Sequence, residues 1–330
     1  MKNIMTILFC LISCALALGK NQDYLFFSPE MISSHIKEYS PEEKELILKD
    51  LDVVRSVCSS LQENTLIQKP LYIATAGAPG TRKTTILERF MNHYVLTSHM
   101  TYLDPDQRAL KFMSHTYYNK SLSAYSIALQ KEYANAVQEA YEKWRGASNY
   151  ITLTLLEEAF AECKNIAHGT TSTGGHIDSF LSAIKKANYE IILLLCSAED
   201  SFRGNAIEYR NTEQKFYQST PEDAISKGKI FPTRMQSYFT YADSLYIFWS
   251  NDLFEQESLA AIFSHGTLKI LDSNALNFFI DQFEKDRALL MQKGTQIPSW
   301  EELLKIYQER FPLSILPRKT ERKHRNKQIP

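Results

Sequence analysis

The chain has 330 residues, enough for one large domain or a domain with an appendage, and 44% of them are hydrophobic, as in a globular protein. Lys and Arg number 37 against 38 Asp and Glu, a formal net charge of −1, which leaves the whole molecule without an electrostatic basis for binding nucleic acid. There is neither a repeat nor a long low-complexity tract.

Residues 1–19 stand apart. Lys2 precedes an apolar run from Ile4 to Leu18, and Ala15-Leu-Ala17 offers a small-residue cleavage site. This is the layout of a secretory signal peptide, and the run is short for a membrane span. Leu11-Ile-Ser-Cys14 also fits a lipoprotein signal acylated at Cys14, although the residues after Cys14 stay apolar. An uncleaved anchor or buried helix on a cytoplasmic chain is the third reading. Export is the expectation. Outside the leader only Cys58, Cys163 and Cys196 remain, odd in number and widely spaced, so neither a disulfide framework nor a zinc site is indicated.

Residues 20–66 are expected to form a helical extension. Ser28-Pro-Glu30 starts one helix, and Ser40-Pro-Glu-Glu43 is a capping box ahead of Leu46, Ile47, Leu51 and Val54 at helical spacing. The next unit, residues 67–255, opens on an apolar strand at 70–76, followed by a helix at 83–94, a short strand ending near Leu103 and a helix from about Asp106. Two helical patterns fill 121–145 and 150–163. A strand around Asn165-Ile-Ala and a helix over 177–187 come next. Glu190–Cys196 and Ser244–Trp249 are continuous apolar runs, as in parallel strands covered on both faces. Strands alternating with helices predict an α/β fold, a parallel sheet flanked by helices, with helical additions at both ends. A helical segment is expected over 256–311, and residues 312–330 form a basic tail from Arg318 to Lys327, read as a solvated, disordered terminus. That tail is the only feature with nucleic-acid character.

Between the first strand and its helix lies Gly77-Ala78-Pro79-Gly80-Thr81-Arg82-Lys83-Thr84-Thr85. Gly77 is followed at phosphate-loop spacing by Lys83 and Thr84. Such a loop turns backbone N–H groups around a phosphate, its lysine neutralises the outer phosphates, and the Thr84 hydroxyl can ligate Mg²⁺. Arg82 stands where a glycine usually precedes the lysine, and its side chain is expected to point outward. In open α/β sheets the ligand sits at the carboxyl ends of the strands, so each end is a candidate site. The second delivers Asp104-Pro-Asp106-Gln-Arg108, where a carboxylate can take a proton from an attacking hydroxyl or cap a helix. The third delivers His168-Gly-Thr170. The strand ending at Cys196 lacks the tip aspartate that often holds magnesium, which favours small-molecule kinases over motors or switches. Glu199, Arg203 and Arg210 then fall on a helical pattern, with Lys229 and Arg234 beyond. Cations there suit charge developing on a transferred phosphoryl group.

This order resembles the zeta toxin family, phosphate-loop kinases acting on UDP-N-acetylglucosamine or related sugars, over roughly residues 70–252. The family's loop opening appears as Gly77-Ala-Pro-Gly80 with Lys83-Thr84-Thr85 behind it. Its Asp-x-Asp element looks like Asp104-Pro-Asp106, which makes Asp106 the proton acceptor, Asp104 a substrate contact, and Arg108 the following arginine, one residue early. Its Glu-Gly-Thr element looks like His168-Gly169-Thr170, with histidine for the sugar-contacting glutamate. Asn188-Tyr189 stands for its Gly-Tyr, Arg210 for its later arginine, and Lys229-Ile-Phe-Pro232 for its Arg-x-Val-Pro.

The resemblance implies an ATP- and Mg²⁺-dependent kinase with Asp106, Arg210 and Lys229 as catalytic residues. Asp104, Arg108, His168 and Thr170 would contact the small-molecule acceptor, UDP-N-acetylglucosamine or a relative, and an antitoxin-like protein would be a partner. Substitutions at Arg82, His168 and Lys229 keep a second reading open: a catalytically silent nucleotide- or partner-binding protein on the same fold. A leader together with a phosphate loop implies a target inside another cell, where ATP is present.

Overall fold

The structure, a computed structural model, describes residues 26–58, 69–94, 96, 99–122, 130–214, 216–217 and 220–311. The leader, the two cysteines within it and the basic tail lie outside them.

Two helices open the described chain, α1 (Pro29–Ser34) and α2 (Pro41–Cys58). The capping box forms as its sequence requires. Ser40 Oγ accepts from Glu43 N at 3.2 Å, and Glu43 Oε2 accepts from Ser40 N at 3.0 Å. The apolar stripe Ile47, Leu51 and Val54 is buried. Strand β1 (Leu71–Ala76) leads through the glycine-containing turn into α3 (Lys83–His93), and β2 (Thr101–Leu103) follows. In place of an ordinary helix from Asp106, the chain makes a π-helical turn (Pro105–Ala109). The amides of Arg108 and Ala109 both reach the Asp104 carbonyl, at 2.9 Å each. A 3₁₀ turn (Leu110–Phe112) and a second π-helical stretch (Ser114–Leu122) continue it.

From Gln130 onward the two helical patterns expected at 121–145 and 150–163 are one continuous helix, α4 (Gln130–Ala161); residues 121–122 end the π-helical stretch, and 123–129 lie outside the described residues. Gly146, between the two patterns, is needed mid-helix. A Cβ there would lie 2.6 Å from the His35 carbonyl oxygen, so the glycine admits the chain that follows α1. Next come β3 (Ile166–His168), α5 (Ile177–Lys186), β4 (Glu190–Ala198), α6 (Asp200–Thr212), α7 (Pro221–Ile230), α8 (Met235–Tyr241) and β5 (Ser244–Ser250). The segment 256–311, expected to be helical, opens instead with β6 (Ser258–Ser264) and β7 (Thr267–Ile270). These alternate too briefly to be separated from a helical pattern, and α9 (Ser273–Met291) and α10 (Trp300–Glu309) follow.

All seven strands join one sheet in the order β2-β3-β1-β4-β5-β6-β7. The first five are parallel, and β6 and β7 add an antiparallel edge. Helices cover both faces, which is why β1 and β4 tolerate almost no polar residue. The helical extension packs on α4. Arg55 grips Glu158 through Nε and Nη2 at 3.0 and 2.9 Å, and Tyr39 stacks on Trp144. At the other end, Trp300 packs against Phe239, Phe263, Phe279 and Phe283. With β1 central, its neighbours' carboxyl ends converge on the loop that starts at Gly77.

Candidate active site

A cavity of about 720 Å³ opens at those strand ends, lined by the phosphate loop, the turns after β2 and β3, and one face each of α4 and α6. The loop is pressed against the sheet from behind. Gly77, at φ 148°, has no room for a side chain, because a Cβ would lie 2.1 Å from the Cys196 carbonyl oxygen. Gly80, at φ 83°, backs in the same way onto the Arg203 backbone. Pro79, Gly80, Arg82, Lys83, Thr84 and Thr85 face the cavity. The first helical bond of α3 runs from Ile86 N to Arg82 O, so the amides of its first turn begin without helical partners, the usual basis of anion binding. Ala78 and Thr81 are buried in the loop, with Thr81 Oγ1 donating to Ala78 O at 2.9 Å. Lys83 Nζ donates to the same carbonyl at 2.6 Å, and removal from water lowers its pKa to about 8.

Arg82 occupies the left-handed region at φ 59°, the conformation that makes glycine the usual residue there, at a cost of about 1–2 kcal/mol. Its guanidinium reaches toward the connection after β5. Nη1 donates to the carbonyls of Asp252 (2.9 Å) and Glu255 (2.5 Å), and Nε lies 2.9 Å from Glu257 Oε1.

Asp104, rather than Asp106, caps the turn after β2, its Oδ1 accepting from the amides of Asp106 and Gln107 at 2.8 Å each. It is buried, and its pKa is raised by desolvation and then by the charge of Asp106. Gly169 makes space for it, since a Cβ there would meet Asp104 Oδ2 at 2.1 Å. Asp106 is thereby freed to face the cavity, where Arg145 Nη1 holds its Oδ1 at 2.6 Å. His168 also lines the cavity, buried, with Nδ1 2.8 Å from Tyr72 Oη. Burial lowers its pKa to about 4, so the imidazole is neutral near pH 7 and brings no positive charge to an acceptor. Thr170 faces the cavity too, while its Oγ1 accepts from Ser172 N at 3.1 Å. From α6 comes Arg210, whose pKa is lowered by burial.

Two expected site residues are elsewhere. Arg108 stacks on Tyr102, its guanidinium carbon 4.4 Å from the ring centroid, because the wide π-helical turn carries it off the cavity wall. Lys229 is likewise off the wall; Lys227, two positions earlier on α7, reaches it. Arg203 is not a lid cation either. It is buried against Asp200 in a space left by Gly228. Conversely, Arg145 was not anticipated. With Tyr141, Asn149 and Thr152 it forms a polar line at helical spacing on an otherwise apolar face of α4, a signal visible in sequence but equally typical of a solvated stripe.

No protein-family model matches the chain, and no curated protein does. Crystal structures of the AvrRxo1-ORF1:AvrRxo1-ORF2 complex are similar to it in fold. The native complex gives a TM-score of 0.52 at 16% identity, over 86% of this chain and 94% of the other. The form with sulphate ions gives 0.54 at 15% over 87% and 96%, and the form with ATP gives 0.55 at 15% over 86% and 95%. The shared fold is a phosphate-loop kinase-like α/β fold, a seven-stranded sheet flanked by helices.

Proposed function

We propose that this chain is an ATP-dependent phosphotransferase acting on a hydroxyl of a nucleotide sugar or related small molecule. The observation that supports this best is one cavity holding Lys83 and Thr84 on one side and the Asp106–Arg145 pair on the other. ATP is bound in one of the crystallised complexes that share the fold.

In this reading the phosphate loop holds the donor's phosphates, with Lys83 exchanging the Ala78 carbonyl for a phosphate oxygen. The residues fit Mg²⁺ through Thr84. No group of three or more His, Cys, Asp or Glu is placed to hold a metal among the described residues, so the cation would share Thr84 with phosphate oxygens. Bound there, it would neutralise charge on the phosphates. Arg145 holds one oxygen of Asp106, leaving the other to accept the proton of the acceptor hydroxyl. The hydroxyl oxygen bonds to the terminal phosphorus as the bond to the leaving diphosphate breaks. Arg210 and Lys227 supply charge where negative charge grows. Neutral His168 and Tyr72 suit an uncharged polar group of the acceptor by hydrogen bonding.

Incubation with labelled ATP, Mg²⁺ and a panel of nucleotide sugars, UDP-N-acetylglucosamine among them, tests the reading. Label transferred by wild type but not by Asp106→Asn is the expected result. ATP binding without transfer to any acceptor would favour the silent scaffold instead.

An antitoxin-like protein partner is part of the proposal, supported by the two-component nature of the similar complexes. So is export toward a target cell, supported by the leader's layout; an intact Met1 in the native protein's mass spectrum would remove it.

A further inference from the structure

Glu257 is a carboxylate with only 2% of its side chain exposed, held between Arg82 and Arg89, whose Nη1 lies 2.5 Å from Oε2. Arg82 also grips two carbonyls of the connection between β5 and β6, at Asp252 and Glu255. That connection is itself tightly turned, with Asp252 Oδ1 accepting from the amides of Phe254 (2.7 Å) and Glu255 (3.0 Å). Leu253, between these anchors, lines the cavity. Phe254 sets its ring edge-on to Tyr209 of α6, centroids 5.7 Å apart, and Tyr209 lines the cavity as well. The connection therefore bridges the start of α3 and α6 beside the phosphate loop.

Sheet order says what this bridge covers. Asp106 and His168 follow β2 and β3, on one side of β1, whereas α6 and the bridge follow β4 and β5 on the other. If the acceptor occupies the first side, as in the function proposed above, the donor's nucleoside must leave the phosphate loop toward the second.

We propose that Arg82 and Glu257 form a latch that fixes the β5–β6 connection as the wall for the donor's nucleoside, making both positioning residues for nucleotide selection. Arg82 has left-handed backbone where glycine is usual, and the latch explains why a side chain is kept there. Glu257, buried and shared by two arginines, cannot reorganise cheaply if either is lost.

Calorimetric titration of the full chain with ATP and with inorganic tripolyphosphate, each with Mg²⁺, separates the nucleoside wall from the phosphate cradle. Arg82→Gly and Glu257→Gln should lower ATP affinity about tenfold while leaving tripolyphosphate within about twofold, the scale of a lost ion pair that is largely out of water. Leu253→Ala, which leaves the latch intact, should show the same ATP-specific loss. Glycine adopts the Arg82 backbone without strain, so Arg82→Gly remains readable even if Glu257→Gln fails to fold. Equal losses for both ligands, or no loss for either, would overturn the latch. Failure of the wild type to bind either ligand would instead remove the phosphate-loop reading, and the latch with it.

Discussion

In the proposed function the cavity has a donor half and an acceptor half, and the two are built in opposite ways. The donor half is one contiguous stretch, Gly77 to Thr85, whose contacts are mostly backbone and whose shape is enforced by glycines pressed on β4 and α6. The acceptor half is assembled from α4, the turns after β2 and β3, and the chain around α1, which contribute Arg145, Asp106, His168, Phe27 and His35. A binding site for a common chemical group can be local. One that must distinguish acceptors draws on distant side chains, each tuned by its own burial.

The sharpest way to break this contrast is Lys83→Ala. It should reduce ATP and tripolyphosphate affinity alike, by about 100-fold or more in calorimetry, because it removes the half-buried cation from the cradle both ligands share. Equal affinity in wild type and variant would show that the donor half is not a phosphate site. Asp106→Asn comes next. Asp104 provides the cap, so folding and ATP binding should survive while transfer falls by about 10²–10⁴ in a single-turnover assay. Undiminished turnover would discard the base assignment. Arg145→Gln should lower turnover by about 10-fold or more and leave ATP affinity unchanged, since Arg145 acts on Asp106 rather than on the donor.

The last effect is on stability. His168 has a folded pKa of about 4, below its unfolded value near 6.5, so the unfolded chain binds more protons between the two. Its contribution is complete above about pH 6.5 and is lost as pH falls toward 4, by at most roughly 3 kcal/mol. Asp104, with a raised pKa, slopes the opposite way. The comparison is therefore between wild type and His168→Gln in urea titrations at pH 7 and pH 4.5: the variant should lose less stability on acidification. Parallel losses would mean that His168 is not held neutral by its surroundings.

The donor half was legible because its chemistry needs a fixed spacing along the chain, and the strand-to-helix change around it left one interpretation. Asp106 and Arg210 were reachable through their order after successive strands. Arg108 and Lys229 were misplaced because sequence order gives the strand end but not the local turn, and one π-helical turn or half a helical turn moves a side chain off a wall. Arg145 stayed hidden because its partner, Asp106, is on another element, and no local pattern distinguishes a buried cation in a helix from a solvated one. The strands β6 and β7 were missed for the same reason that they pair only with each other and β5: an edge hairpin carries too few alternating residues to announce itself.

Glu157, on α4, accepts a hydrogen bond from the Phe27 amide at 2.5 Å, while Phe27 stacks on Phe180 and forms part of the cavity wall. If the proposed leader is removed, this anchor sets how far the removal can extend. Cleavage after Ala17 would leave this anchor intact, whereas trimming past Phe27 would open the acceptor half to water.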